Sequence, residues 1–176
     1  SSVLVGDFLY SRAFQMLVSI GQVDVMDTLS NATNVIAEGE VLQLLNAKNP
    51  DVSEADYLHV ILGKTAMLFE AASHTGAQLA KANTEQADAL RRFGRHLGIA
   101  FQLIDDLMDY AGDQATMGKN VGDDLAEGKP TLPLIHAMAH ATDDERKLIR
   151  KAIRQGSCEH IIEIQSILSR CGSLNY

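Results

Sequence analysis

The chain has 176 residues, of which 46% are hydrophobic and 22% are charged, a composition that suits one folded domain with a sizeable core. Its formal net charge of −8 argues against nucleic acid as a partner, because phosphate backbones are bound by basic surfaces. We expect no run of apolar residues long enough to span a bilayer, and the two cysteines, Cys158 and Cys171, show no metal-ligand spacing and favour a reducing, cytoplasmic compartment.

Apolar residues recur at helical spacing along most of the chain, and strand-like alternation is scarce, so the sequence predicts an all-α domain. Gly21 and the Asn49-Pro50 pair end the first two helices, and Ser53 is expected to cap the third and Thr84 the fourth. The predicted helices cover 2–19, 23–46, 54–81, 84–110, 131–141, 143–155 and 158–170.

A loop is predicted between Ala111 and Pro130, where glycines lie among charged residues. A loop of about 20 residues inside a compact domain is usually functional or disordered. It carries Lys119 and Lys129, whose ammonium groups can act as point charges on phosphate oxygens. A flexible solvent loop with ordinary lysines explains the same residues.

Three aspartates cluster near the end of the fourth predicted helix. Asp105 and Asp109 are one helical turn apart on one face, with Asp106 beside them. Like charges at this spacing repel by roughly 0.2–0.5 kcal/mol per pair, and the residues around them are apolar. Crowded hard oxygen donors suit Mg²⁺, which completes its shell with water and substrate phosphates. The alternative is a solvated acidic face on a surface helix.

Together these segments resemble a known family, the trans-prenyl diphosphate synthases. Phe101-Gln102, followed by the three aspartates and the lysine loop up to Pro133, resembles the family's second aspartate-rich motif. The segment from Gly39 to Gln43 and the Lys64-Thr65 pair resemble two further family segments, in the same order. The resemblance extends over nearly the whole chain. It is greatest to the bacterial synthases that make octaprenyl diphosphate for the ubiquinone side chain.

The resemblance implies an all-α isoprenoid-synthase bundle around a central active-site cavity. It also implies an Mg²⁺-dependent enzyme that condenses isopentenyl diphosphate with an allylic diphosphate such as farnesyl diphosphate. The implied metal ligands are Asp105, Asp106 and Asp109. The implied substrate-binding residues are Lys64, Thr65, Gln102, Lys119, Lys129 and Gln43, and the residues expected to carry catalysis are Asp105, Asp106, Lys64 and Lys119. Asp123 and Asp124 are expected to support the loop.

Members of this family carry two aspartate-rich motifs, and this sequence contains only the second. We therefore expect residues 1–176 to be part of one synthase domain that lacks the N-terminal helices with the first motif and the last C-terminal helices, and to be inactive alone. The family also implies a homodimer, with the first helix a candidate interface.

Three other interpretations remain. The first is a non-catalytic subunit of a heteromeric prenyl synthase, although such a subunit has no need of intact aspartates and lysines. The second is a terpene cyclase on the same fold, which the lysine loop does not suit. The third is a plain helical scaffold, which leaves the spacing of the aspartates and lysines unexplained.

Overall fold

The computed structural model of the chain describes residues 1–111 and 121–176. These residues form helices joined by short turns, with no strand among them, so the predicted all-α class is confirmed. The helices are α1 Ser2–Ile20, α2 Val23–Asn46, α3 Glu54–Ile61, a π-helical segment π1 Leu62–Ala66, α4 Met67–Leu79, α5 Thr84–Ala111, α6 Asp123–Ala126, α7 Leu132–His140, α8 Asp143–Gln155 and α9 Ile161–Arg170.

Side-chain caps decide where several helices begin. Ser53 caps α3 as predicted: its hydroxyl accepts from the amide of Asp56, whose carboxylate accepts from the amide of Ser53. The prediction for Thr84 is wrong, because Thr84 is already inside α5. Asn83 is the cap, and its side-chain oxygen accepts from the amide of Gln86 at 2.9 Å. Asparagine is among the preferred N-caps and ranks ahead of threonine.

The third predicted helix is not a continuous α-helix. It is divided by π1, where the amide of Met67 bonds to the carbonyl of Leu62, five residues earlier. Single π-helical turns inside α-helices occur frequently at functional sites. The Lys64-Thr65 pair lies inside this segment. The local widening of the helix thus coincides with residues for which the family resemblance implies substrate binding.

The buried core has two parts. The larger packs the end of α5 and the buried Leu125 of α6 against α7, α8 and α9, with Leu134, Ile153 and Ile164 fully buried. Burial of each such aliphatic side chain contributes about 1.5–3 kcal/mol. The smaller is built on Val52, Tyr57 and Ile61 and lies between α3, α5 and α7. The two clusters fix the end of α5, where the predicted aspartates lie, from both sides.

The predicted loop between Ala111 and Pro130 is wrong for residues 123–126, which form α6. The first amides of this short helix find a side-chain acceptor on α5, which explains why a helical turn forms in a glycine-rich segment. Lys119 lies outside the described residues, so its predicted role remains a prediction.

Helix α1 exposes a large apolar surface, including Leu4, Phe8 and Met16, and none of its residues is buried. By length and composition alone it could cross a membrane. Its 19 residues contain only Asp7 and Arg12 as charged residues, so length and composition by themselves do not exclude a span at α1. Apolar helices that pack against protein satisfy the same criteria.

Candidate active site

A cavity of about 250 Å³ lies where α2, α3, π1, α5 and α6 meet. Its walls combine acidic, basic and amide side chains with a few apolar ones. It brings together seven of the residues predicted from the sequence, namely Gln43, Lys64, Thr65, Gln102, Asp105, Asp106 and Lys129. Asp109 is not among its lining residues. The predicted site residues therefore converge from four separate segments of the chain on one place in the fold.

Asp106 is the most buried of the three aspartates, with 5% of its surface exposed. Both of its oxygens accept hydrogen bonds, Oδ2 from the Tyr57 hydroxyl at 2.6 Å and Oδ1 from Nε2 of Gln102 at 2.7 Å. Burial raises the pKa of the Asp106 carboxyl to about 6, and these two hydrogen bonds oppose that rise because they favour the ionised form. The ionised form of Asp106 is thus stabilised by the Tyr57 and Gln102 side chains, because little water reaches this carboxylate.

The side-chain amide of Gln102 links three polar residues of the site. Its oxygen accepts from the Thr65 hydroxyl at 2.7 Å, and its nitrogen donates to Asp106 and, at 3.4 Å, to Asp105. These partners fix which end of the amide is oxygen and which is nitrogen. Gln102 therefore couples the π-helical segment on one wall to the aspartates on the other.

Lys64 projects from π1 towards α2. Its ammonium pairs with the carboxylate of Glu40 at 2.9 Å and donates a short hydrogen bond to the side-chain oxygen of Gln43. Gly39 permits this contact between the helices, because a Cβ at that position would lie 2.6 Å from the backbone nitrogen of Lys64. The side chain of Lys64 remains 33% exposed, so its charge is available to a ligand in the cavity.

Lys129 supplies the second ammonium group of the cavity. It pairs with Asp124 at 3.0 Å and with Glu127 at 2.6 Å. Burial lowers the pKa of Lys129, but the hydrogen bonds to the two carboxylates outweigh that effect and leave its pKa above the ordinary value. Lys129 is therefore a cation at any physiological pH.

Asp109 occupies a different environment from the other two aspartates. Its Oδ1 accepts from the amide of Asp123 and its Oδ2 from the amide of Asp124, both at 3.1 Å. Burial, together with the charge of Asp124, raises the pKa of Asp109 to about 6, and the amide hydrogen bonds oppose the rise. Its carboxylate is directed at the backbone of α6.

Sequence reasoning did not name Tyr57, which lines the cavity, or Glu40, which pairs with Lys64, and it gave Asp124 only a supporting role. Tyr57 precedes Lys64 by two helical turns, and Glu40 precedes Gln43 by one, so helical periodicity offered a signal for both. Asp124 lines the cavity directly and pairs with Lys129, which goes beyond the supporting role expected for it. Its placement depends on the fold of α6, for which the sequence carried no clear pattern.

Proteins similar to this chain are known over its whole length. A family model described as polyprenyl synthetase matches residues 1–170. The chain belongs to that family. This confirms the family resemblance predicted from the sequence. The all-α fold is also found in solved members of the family.

Three relatives illustrate the similarity. The chain is 54% identical over 177 residues to octaprenyl diphosphate synthase of Escherichia coli (strain K12), covering 100% of this chain and 55% of the relative. A polyprenyl synthase from Caulobacter crescentus, solved in complex with calcium and isoprenyl diphosphate, superposes with a TM-score of 0.93 at 44% identity, over 99% of this chain and 54% of that one.

A decaprenyl diphosphate synthase from Rhodobacter capsulatus superposes with a TM-score of 0.90 at 45% identity, over 99% of this chain and 54% of that one. The chain thus spans about half the length of the relatives that it matches. Relatives at similar identity are named for different product lengths.

Proposed function

We propose that this protein acts as a prenyltransferase that lengthens an allylic diphosphate, such as farnesyl diphosphate, by condensing it with isopentenyl diphosphate. The main support is that one cavity gathers the ammonium groups of Lys64 and Lys129 and the carboxylates of Asp105 and Asp106. Cations bind diphosphate oxygens directly, and carboxylates bind them through a shared divalent metal. Such a mixed set of charges suits a metal diphosphate better than either a free anion or a free cation.

The donor atoms of the cavity fit Mg²⁺ shared with a substrate. Within residues 1–111 and 121–176, no three acidic, histidine or cysteine side chains converge closely enough to hold a metal ion by themselves. Mg²⁺ typically takes only one or two protein carboxylates and fills its remaining positions with water and substrate phosphates. Asp105 and Asp106 would supply those carboxylates. When bound there, Mg²⁺ would offset the negative charge of the leaving diphosphate.

In the proposed reaction, the bond between the allylic carbon and the diphosphate oxygen breaks, and the electron pair leaves with the diphosphate. The alkene of isopentenyl diphosphate attacks the resulting cation, and loss of a proton restores a double bond. Lys64 and Lys129 would stabilise the charge that develops on the leaving group, and Lys119 is proposed to assist them. Thr65, Gln102 and Gln43 would orient the diphosphate through their polar side chains.

An apolar groove next to this cavity suits a growing hydrocarbon chain. It encloses about 740 Å³ and is lined mainly by residues of α2 and of the α3–π1–α4 stretch, including Val35, Leu42, Leu45, Leu62 and Met67. Gly39 and Gly63 line this groove, whereas Gln43 and Lys64 line the smaller cavity. The two spaces are thus lined by neighbouring residues of α2 and π1, and we propose that the groove holds the apolar tail of a substrate whose diphosphate lies in the cavity.

Octaprenyl diphosphate for the quinone side chain is our proposed product, supported by the 54% identity to the Escherichia coli octaprenyl enzyme. We also propose a cytoplasmic homodimer. The exposed apolar side of α1 supports the homodimer, because a second copy would cover surface that otherwise contacts water.

The test is a turnover assay on the complete protein with isopentenyl diphosphate, farnesyl diphosphate and Mg²⁺, with chromatographic measurement of product length. A ladder ending at octaprenyl diphosphate is the expected result. Asp105→Ala should lower turnover by about 100-fold or more while leaving the fold intact by circular dichroism. Turnover that survives this substitution would instead favour a non-catalytic subunit whose partner supplies the active site.

A further inference from the structure

We propose that Asp109 is a positioning residue whose carboxylate caps α6 and thereby holds Asp124 and Lys129 at the cavity, rather than a direct ligand of the metal. The part of this inference that concerns the metal and the diphosphate rests on the proposed function. The capping itself rests on geometry alone. It assigns the third aspartate of the motif a role different from that of Asp105 and Asp106.

The first support is that both oxygens of Asp109 are already used by backbone amides. Oδ1 accepts from Asp123 and Oδ2 from Asp124, each at 3.1 Å, and the backbone carbonyl of Asp109 accepts from the amide of Gly122 at 2.9 Å. One residue of α5 thus satisfies three consecutive amides at the start of α6. An ionised carboxylate can accept two amides at once with one oxygen each, whereas an asparagine offers only one acceptor oxygen.

The second support is the separation of Asp109 from the cavity. Asp105, Asp106 and Asp124 line it, and Asp109 does not. Asp109 lies one turn farther along α5 than Asp105, towards α6, so its side chain meets the backbone of α6 instead of the cavity. Asp106 of the same motif differs from Asp109, because it accepts hydrogen bonds from the side chains of Tyr57 and Gln102 and not from backbone amides.

The third support is that α6 contains Asp124, which holds Lys129 through two contacts. The backbone carbonyl of Asp124 accepts from the amide of Lys129 at 2.9 Å, and the Asp124 carboxylate pairs with the Lys129 ammonium at 3.0 Å. Leu125, fully buried between them in sequence, anchors the same turn in the larger core. Loss of the Asp109 cap would therefore loosen the amides of α6 and the approach of Asp124 and Lys129 to the cavity without unfolding the domain.

The experiment compares Asp109→Ala and the milder Asp109→Asn with Asp105→Ala in the complete protein. Hydrogen exchange of peptides covering residues 121–129 reports the cap. Calorimetric titration of inorganic pyrophosphate at several Mg²⁺ concentrations reports the metal. We expect Asp109→Ala to speed exchange in this segment about tenfold, with a smaller effect of Asp109→Asn. The Mg²⁺ concentration needed for half-maximal pyrophosphate binding should change less than about threefold. Asp105→Ala should show the reverse pattern.

Two outcomes would overturn the inference. One is unchanged exchange in residues 121–129 of Asp109→Ala, and the other is an Mg²⁺ requirement raised as far as in Asp105→Ala. Failure of the unsubstituted protein to bind pyrophosphate with Mg²⁺ would contradict the proposed function instead. The exchange measurement would still decide whether Asp109 caps α6.

Discussion

The hydroxyl of Tyr57 on α3 donates a hydrogen bond of 2.6 Å to Oδ2 of Asp106 on α5, joining residues 49 positions apart in the chain. Tyr57 is itself buried, and burial, followed by the charge of Asp106, raises its pKa, so the phenol stays protonated and remains a donor. The buried Asp106 carboxylate, part of the proposed metal site, is therefore held by a neutral hydroxyl. A cationic partner such as lysine would compete with a metal ion for the carboxylate charge, and the Tyr57 hydroxyl does not.

Tyr57→Phe should lower the activity of the complete protein, although it removes only one hydroxyl group and leaves the aromatic ring in place. The substitution removes a charge-assisted hydrogen bond and leaves one Asp106 oxygen without that donor, at a cost of about 1.5–3 kcal/mol in stability. Residues that orient metal ligands typically contribute about 10–100-fold to affinity or activity. We expect kcat to fall and the Mg²⁺ requirement to rise, with KM for farnesyl diphosphate nearly unchanged, in steady-state kinetics.

Tyr110→Phe is the matched control, because Tyr110 is also buried and its hydroxyl accepts a long hydrogen bond of 3.4 Å from the Thr131 hydroxyl instead of donating to an aspartate of the cavity. It should alter stability without altering the Mg²⁺ requirement. Equal kinetic effects of the two substitutions would show that Tyr57 contributes through general packing alone.

The stability of the metal-free protein should depend on pH through Asp106. Its pKa of about 6 in the folded state lies above the ordinary value of 3.8. The folded state therefore binds the proton more tightly than the unfolded state, and this group's contribution is fully present below about pH 4 and is lost as pH rises towards 6. Urea denaturation in the presence of a chelator should show this as a decrease of roughly 2–3 kcal/mol in the free energy of unfolding.

Asp106→Asn should flatten that part of the pH profile, because the amide does not titrate. Asp109, whose pKa is also about 6, should leave a remaining slope of the same sign. Asp144→Asn is the control, since the Asp144 side chain is 93% exposed, is not among the residues lining the cavity, and loses the same charge. Parallel profiles for the unsubstituted protein and Asp106→Asn would contradict the assignment.

The sequence was sufficient for features that depend on local periodicity. The bounds of α2 and α8 were predicted to the residue, because apolar spacing and strong end signals define them. The closeness of Asp105 and Asp106 on α5 also followed from helical spacing, whereas Gln102 was named only through the family resemblance. Each of these features is encoded within one segment of the chain.

Features that depend on contacts between segments were not predictable in the same way. The π-helical turn at Lys64 lies against α2 at Gly39, and the α6 helix exists where Asp109 supplies acceptors 14 and 15 residues earlier in the chain. The donor to Asp106 comes from another helix altogether. Single-sequence patterns carry no distance information across such separations.

Gly39→Ala should destabilise the protein and displace Lys64. A methyl group at residue 39 would lie 2.6 Å from the backbone nitrogen of Lys64 and 2.9 Å from the carbonyl carbon of Gly63, and backbone atoms have little room to yield. Overpacking of this kind typically costs about 1–3 kcal/mol. Urea denaturation should show the loss, and pyrophosphate binding should weaken with it.

Gly76→Ala tests whether the effect belongs to the close approach rather than to glycine itself. Gly76 lies inside α4 with nothing within 4 Å of an added Cβ. Alanine in a helix interior is favoured over glycine by about 1 kcal/mol, so this variant should be more stable than the unsubstituted protein. Opposite signs for the two glycines are the expected result, and destabilisation by both would remove the argument from helix contact.

Glu40→Gln should tighten the binding of inorganic pyrophosphate. The Glu40 carboxylate lies 2.9 Å from the Lys64 ammonium and competes with phosphate for its charge. Because the Glu40 side chain is 51% exposed, solvent screens much of this interaction, and we expect only a two- to five-fold gain in affinity, about 0.4–1 kcal/mol. Calorimetry at low and high salt should show the gain decreasing as ionic strength rises.

Glu38→Gln provides the comparison for this last substitution, since Glu38 is also exposed on α2 but bonds to Asn34 and faces the larger groove. It removes the same charge from the same helix without touching Lys64, so pyrophosphate affinity should change less than in Glu40→Gln. Weaker binding in Glu40→Gln would mean that Glu40 serves mainly to hold Lys64 in position for the ligand. Equal gains in both variants would mean that the general negative charge of α2, and not the Glu40–Lys64 pair, opposes the anion.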